Sequence, residues 1–255
     1  MTLAEVGLEK TEPLWLRGGF PDSLTAASDN QSRRWREAFI RSYLERDIPQ
    51  LGPRIAAETL RRFWSMLAHE HGGLLNAAQL ARSLAVSGKT LASYIDLFVD
   101  LFLLRRLEPW HANTTKRLVK SPRIYLRDSG LLHHLLDIWD METLLGHSKL
   151  GASWEGFVME NLFACLPEGS RASFYRTASG AEIDLLIELP GHSKPWAVEI
   201  KRGRNPNLER GFHHAREDIR PERCFVVCGT DEAFSMGEGI EALGLAKMME
   251  ILRSR

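Results

Sequence analysis

The hydrophobic period of this 255-residue sequence changes part-way along the chain, and that change limits what it can fold into. In the first part, apolar residues recur at the three-to-four spacing of one helix face. In "NQSRRWREAFIRSYLERDIPQL" the stripe is Trp35, Phe39, Ile40, Tyr43 and Leu44, and Pro49 and Pro53 predict its end. In "AAETLRRFWSMLAHEHGG" it is Leu60, Phe63, Trp64 and Leu67, closed by Gly72-Gly73. "DSGLLHHLLDIWDMETLLG" is a bridging helix, and "ASWEGFVMENLFACL" is another. After it the period falls to two. "ASFYRT", "AEIDLLIEL" and "PWAVEIKR" read as strands, "NLERGFHHAREDI" as a helix, "RCFVVCG" as a strand and "GIEALGLAKMMEILRSR" as a terminal helix. The expectation is an α+β chain with a helical N-terminal part and a C-terminal part of order α-β-β-β-α-β. Residues 1 to about 30 read as irregular, with "RGGFPDS" a turn-rich segment.

Within the helical part, "RSLAVSGKTLAS" holds Gly88-Lys89-Thr90, the tail of a phosphate-binding loop. The loop needs a glycine five residues before its second one and a strand running into it. Ser83 stands at that glycine position, and Leu75, Ala78, Leu80, Ala81 and Leu84 upstream have helical spacing. Asn76 is a candidate N-cap for that helix, and Leu91, Tyr94, Ile95, Phe98 and Val99 form the face of a second. The pattern is helix, short turn, helix, and no ATP site is expected.

The strands "FLLRRLEPW" and "SPRIYLRD", joined by "HANTTKR", follow that unit. Three helices and a basic hairpin are the parts of a winged helix, whose second turn-unit helix enters a DNA groove. Ser87, Lys89, Thr90 and Ser93 would face DNA, and Arg105, Arg106, Lys116, Arg117 and Lys120 would lie on its backbone. Arg105 to Arg127 hold seven basic residues against the one acid Glu108, although Lys+Arg and Asp+Glu balance at 33 each overall. A solvated hairpin face, or a protein-binding winged helix, is the alternative.

Apolar content of 44% and charged content of 26% are those of a globular protein. No apolar run is long enough to span a membrane, and "MTLAEVGLEK" is no signal peptide. Three cysteines suggest reduced thiols in a cytoplasm, with Cys224 and Cys228 buried in a strand rather than ligating zinc. His133 and His134 are adjacent on a helix and so point to different sides, which favours packing or surface roles.

The chemistry concentrates in "GAEIDLLIELPGHSKPWAVEIKRG". Strand alternation puts Ile183, Leu185 and Ile187 on one side and Glu182, Asp184 and Leu186 on the other. The same rule puts Glu199 and Lys201 on one face. Paired as a hairpin, the strands bring Asp184 near Glu199. Two close carboxylates call for a cation between them, and a hard divalent ion such as Mg or Mn suits oxygen ligands. A neighbouring lysine can position water or stabilise charge on a phosphate. Glu155, on the preceding helix, can supply a third carboxylate. The alternative is an amphipathic hairpin with one wet face.

These residues carry a resemblance. Glu155, Asp184 and Glu199-Ile200-Lys201 in this element order resemble the PD-(D/E)XK nuclease superfamily. The segments "LWLRGGFP", "FIRSYLERDI", "LVKSPRIYLRDSGLLHHLL", "GASWEGFVMENL", "FYRTASGAEIDLLIE" and "AVEIKR", over about residues 10 to 230, are similar to the C-terminal portion of predicted prokaryotic AAA-type ATPases, domain of unknown function 4143. The resemblance implies a winged-helix module followed by a restriction-endonuclease-like domain, and DNA handling driven by an ATPase module ahead of "LWLRGGFP". It implies Asp184 and Glu199 as metal ligands, with the Ile200 carbonyl as a further one. Lys201 would orient the nucleophile, and Glu155 would support metal or water. The proline that names the superfamily is missing before Asp184, and Glu182 competes as a ligand. His213, His214 and Arg216 can approach a phosphate or form a solvated surface.

The expected organisation is therefore an arm over 1–55, a winged-helix-like module over 56–128 and a nuclease-like domain over 129–255. Trp15 and Leu16 of the arm would be exposed, ready to pack on an ATPase module or to drive self-association. A non-catalytic DNA- or protein-binding module on a nuclease-like scaffold is the alternative function.

Overall fold

The computed structural model describes residues 1–50, 55–110, 118–230 and 232–254. They fall into two units, Met1–Arg106 with Ile124–Phe157, and Leu107–Arg123 with Val158–Arg255. The first is helical and the second is built on a sheet, so the chain is mixed α+β. Sequence pattern sets boundaries after residues 55 and 128, whereas the structure groups the 107–123 segment with the sheet.

In the helical unit α1 (Leu3–Val6), α2 (Thr11–Arg17) and α3 (Pro21–Leu24) lead into α4 (Asp29–Ser42). The segment expected to be irregular is therefore mostly short helices. Gly7 and Gly18, at φ of 90° and 82°, end two of them before a periodic stripe can develop. A π turn at Tyr43–Asp47 carries α4 into α5 (Ile48–Gln50). Pro49 therefore does not end the helical path. Next come α6 (Ala57–His69), α7 (Ala77–Leu84) and α8 (Gly88–Asp100). The strands β1 (Leu104–Leu107) and β2 (Arg123–Leu126) pair, and α9 (Ser129–Leu135), α10 (Met141–Gly146) and α11 (Leu150–Phe163) follow.

Leu60, Phe63, Trp64 and Leu67 of α6 are fully buried, as the stripe requires, together with Ile40, Leu44 and Phe98. Burying a side chain of this kind stabilises the fold by roughly 1.5–3 kcal/mol. Trp15 and Leu16 are 4% and 5% exposed, which corrects the expectation that they form an open patch. The Trp15 ring meets Trp154 edge-on at 5.0 Å, and its Nε1–H donates to Ser153 Oγ at 2.9 Å.

The sequence segments "RGG" and "RDSG" close on each other. Gly19 N–H donates to Asp128 Oδ2 at 2.7 Å, while Asp128 Oδ1 caps α9 through Leu131 N–H at 2.8 Å. A Cβ at Gly130 would stand 2.0 Å from the Arg17 carbonyl oxygen, so only glycine fits there. Two of the segments that carried the family resemblance thus serve packing.

The sheet unit contains β3 (Arg171–Arg176), β4 (Glu182–Glu188), β5 (Trp196–Ile200), α12 (Arg210–Ile219), β6 (Arg223–Cys228), β7 (Phe234–Gly237), β8 (Ile240–Gly244) and α13 (Leu245–Arg253). The spatial strand order is β3-β4-β5-β6-β8-β7. Strands β3, β4 and β5 are antiparallel neighbours, β5, β6 and β8 run parallel, and β7 is antiparallel to β8. The expected terminal helix is shorter than its periodicity suggests. Ile240–Gly244 is a strand paired with β6, and the helix starts at Leu245. Gly237 and Gly239, both at positive φ, turn the chain into that strand.

The described residues on either side of 111–117 meet β3, the edge strand, at 108–110 and 118–119. Trp110 N–H donates to the Phe174 carbonyl at 2.7 Å, and Val119 N–H to the Arg176 carbonyl at 3.0 Å. These contacts cover hydrogen-bonding groups that an edge would leave open.

Candidate functional site

On the sheet, β4 pairs with β5 through Leu185 with Val198, Leu186 with Ala197 and Ile187 with Trp196. Continuing that register by one residue sets Asp184 opposite Glu199. Toward β3, however, Ser173 faces Leu186 while Tyr175 faces Ile183. Two steps on β3 thus match three on β4, which is a bulge with the extra residue around Asp184. Ile183 and Leu186 consequently share one apolar cluster with Phe212 and Ala215 of α12. The strict alternation expected for β4 fails there, and no wet face exists: all five residues of β5 are buried.

The bulge aims Asp184 at the end of β5. Its Oδ2 accepts the Ile200 N–H at 3.0 Å, and its Oδ1 lies 3.4 Å from Arg123 Nη1. Arg123 also pairs with Glu182, and its guanidinium stands 5.3 Å above the Phe174 ring centroid. Arg176 reaches Glu182 at 3.3 Å. The Glu199 side chain is 9% exposed, and its Oε1 lies 2.9 Å from Lys201 Nζ. Its Oε2 is buried without a hydrogen-bond partner. Burial, then the nearby Asp184 carboxylate, push Glu199 up to about 8, which Lys201 and the Asp184 backbone N–H only partly oppose.

The structure thus brings Asp184, Glu199 and Lys201 together. It draws Glu182 to Asp184 through a shared arginine. The donor set fits a divalent cation in chemistry. Asp184 and Glu199 offer hard oxygens, and a buried carboxylate oxygen without a partner is rare unless something completes it. Among the described residues, no group of three or more His, Cys, Asp or Glu side chains is arranged to hold a metal. Glu155 belongs to the helical unit, where its Oε1 accepts the Tyr125 hydroxyl at 2.5 Å.

Arg123 is the site residue that sequence reasoning missed, because it was counted with a solvent-facing basic stripe. A readable signal existed. It heads "RIYL", a run in which every other residue is apolar, and all four positions are buried. A charge in such a run must meet a partner. Other members of the stripe are also engaged. Arg106 pairs with Asp96 at 3.0 Å, and Arg127 stacks 5.2 Å above the exposed Phe102 ring. Lys120 is exposed, Arg105 is half-buried, and Lys116 and Arg117 lie outside the described residues.

Of the other candidate nucleic-acid contacts, Ser87, Lys89 and Ser93 are exposed on the first turns of α8, and Thr90 is half-buried. Ser87 Oγ accepts the Thr90 N–H at 3.0 Å, which makes it the N-cap. Gly88-Lys89-Thr90 opens this helix directly after α7 and a three-residue turn. His214 is exposed, His213 is half-buried, and Arg216 pairs with Glu238 at 2.9 Å. Arg216 lines a cleft of about 600 Å³ with Arg220, Glu222 and Cys224, apart from the carboxylate cluster.

His71 and His133 of the helical unit are structural. Leu126 N–H donates to His71 Nδ1 at 3.0 Å, so Nε2 carries the proton given to the Ala152 carbonyl at 3.1 Å. His133 donates from Nδ1 to the Leu16 carbonyl at 2.9 Å and accepts the Ser153 hydroxyl at Nε2, 2.7 Å away. Burial lowers His71 to about 3 and His133 to about 4, so both rings are neutral.

Comparison with known sequences divides the chain much as the fold does. Residues 8–142 match the family described as domain of unknown function (DUF8612), and residues 150–248 match domain of unknown function (DUF4143). The resemblance expected to run from residue 10 to 230 thus belongs to DUF4143 only in its second part. Uncharacterized proteins of Mycobacterium tuberculosis and Mycobacterium bovis are each 45% identical over 243 residues, which is 95% of this chain and 54% of theirs. The chain therefore spans about half the length of these curated relatives. No solved structure matches. The DUF8612 match covers more than half of the sequence, and the chain belongs to that family.

Proposed function

We propose that this DUF8612-family chain, with its DUF4143 region, is a DNA-handling protein whose sheet unit carries a divalent-metal phosphodiesterase site. The observation that carries the reading is Glu199: a buried carboxylate with Oε2 unpartnered and Asp184 as its neighbour. A Mg or Mn ion held by Asp184 and Glu199 would supply charge neutralisation at a phosphate. Lys201 would hold the attacking water. The order α11-β3-β4-β5-α12-β6 supports a restriction-endonuclease-like core, and the α7–α8 pair with β1 and β2 supports a winged-helix-like module. In that module Ser87, Lys89, Thr90 and Ser93 contact DNA. An ATPase module is the proposed partner, and the chain's own site is not for ATP.

The test is cleavage of single- and double-stranded DNA and RNA with Mg or Mn. Asp184→Ala and Lys201→Ala abolish cleavage and leave binding intact. A wild type that cleaves none of these substrates contradicts the enzyme reading. One observation favours a second reading, a non-catalytic scaffold that binds DNA or protein. Arg123 and Lys201 already neutralise Asp184 and Glu199. Under it, Asp184→Ala leaves every measurable property of DNA binding and the absence of cleavage unchanged.

A further inference from the structure

Charged groups of both signs crowd around Asp184. Glu182, Asp184 and Glu199 supply three carboxyl groups, and Arg123, Arg176 and Lys201 supply three cations. The side chains of Arg123, Asp184 and Glu199 are 8%, 13% and 9% exposed, so little solvent screens them. A dication bound on Asp184 would stand against the guanidinium already there, a like-charge repulsion that is costly where the local dielectric is low. One resident cation must therefore withdraw. Lys201 sits on Glu199, and Arg176 sits on Glu182 alone. Arg123 is the cation on Asp184.

Arg123 is also built to withdraw a short distance. Its guanidinium is a planar fork with donors in two directions. One direction faces Asp184 and the other faces Glu182, while the Phe174 ring lies beneath. When contact with Asp184 is lost, the Glu182 pair and the aromatic face remain. No unpaired charge is left buried.

We infer that Arg123 competes with a divalent cation for Asp184, and that Glu182 is the positioning residue to which Arg123 retreats when the cation binds. This rests on the reading of Asp184 and Glu199 as a cation site. Arg123 is thus a gate on cation binding, and the contact of Leu118 and Val119 with β3 brings its segment to the sheet.

The test is Mn²⁺ binding by calorimetry on the full chain, with circular dichroism to check folding. Arg123→Met binds Mn²⁺ at least ~10-fold tighter than wild type, about 1.4 kcal/mol in affinity. Glu182→Gln weakens binding in the wild-type background. The same change in the Arg123→Met background has a markedly smaller effect, since Glu182 acts through Arg123. Arg123→Lys keeps a charge but loses the fork, and it falls between wild type and Arg123→Met. It decides the matter if Arg123→Met does not fold.

Equal Mn²⁺ affinity in wild type and the Arg123 variants, with Glu199→Gln abolishing binding in both, overturns the gate and leaves the cation site standing. An Arg123 variant that binds more weakly than wild type also overturns it. No binding in any variant at millimolar Mn²⁺ overturns the gate and the cation site together.

Discussion

In the helical unit Arg36 is fully buried and turns to backbone, with Nη1 donating to the Gly130 carbonyl at 2.8 Å and the Leu16 carbonyl at 3.3 Å, while its Nη2 has no hydrogen-bond partner among the described residues. In the sheet unit Arg123 is almost as buried and gives its guanidinium to two carboxylates. The same contrast runs through their neighbours. His71 and His133 are neutral and fully committed to carbonyls, an amide and a hydroxyl. Asp184 is held by the Ile200 N–H and Arg123, and Glu199 by Lys201, with one carboxylate oxygen left over. Buried polar groups that satisfy backbone fix a fold. Buried charges that face each other can exchange partners, and there a ligand can enter.

The largest effect that can break this comparison is on the helical side. Arg36→Ala strands two buried carbonyls and is expected to destabilise the protein by about 4 kcal/mol in urea denaturation. A loss below about 1 kcal/mol would mean that the carbonyls find other donors, and that Arg36 is no more structural than Arg123.

On the sheet side the next effect is on pH dependence. Glu199 sits at about 8, above the 4.5 of an unperturbed glutamate. The folded state therefore holds its proton more tightly than the unfolded chain does. The sign follows: the contribution to stability is fully present below about 4.5 and is lost as pH rises to about 8. Glu199→Gln removes that slope and makes the protein more stable than wild type at pH 8, by on the order of 3 kcal/mol. Parallel wild-type and variant stability curves from pH 5 to 8 would sink this assignment.

Much of this was readable from the sequence. The period of two in β4 and β5 placed Asp184 beside Glu199, and the i, i+2 rule placed Lys201 with Glu199. The stripes of α6 and α8 located the helical core. What escaped has physical causes. The extra residue in β4 breaks alternation and leaves no mark in residue type, so Leu186 was assigned to the polar side. Ile240–Gly244 runs into α13 without a change in composition, and only sheet pairing separates strand from helix. Arg123 looks like any other member of a basic stripe until its burial is known. Trp15 and Leu16 lie in a helix of seven residues, too short for its buried face to show as a pattern.

The most direct test of the central claim is a count of Mn²⁺ bound per chain, by electron paramagnetic resonance, in wild type and in Glu199→Ala. The account predicts one bound ion in the wild type and none in the variant, with circular dichroism unchanged. Equal binding in both, or none in either up to millimolar metal, would contradict it and leave the buried charges of the sheet unit as scaffold.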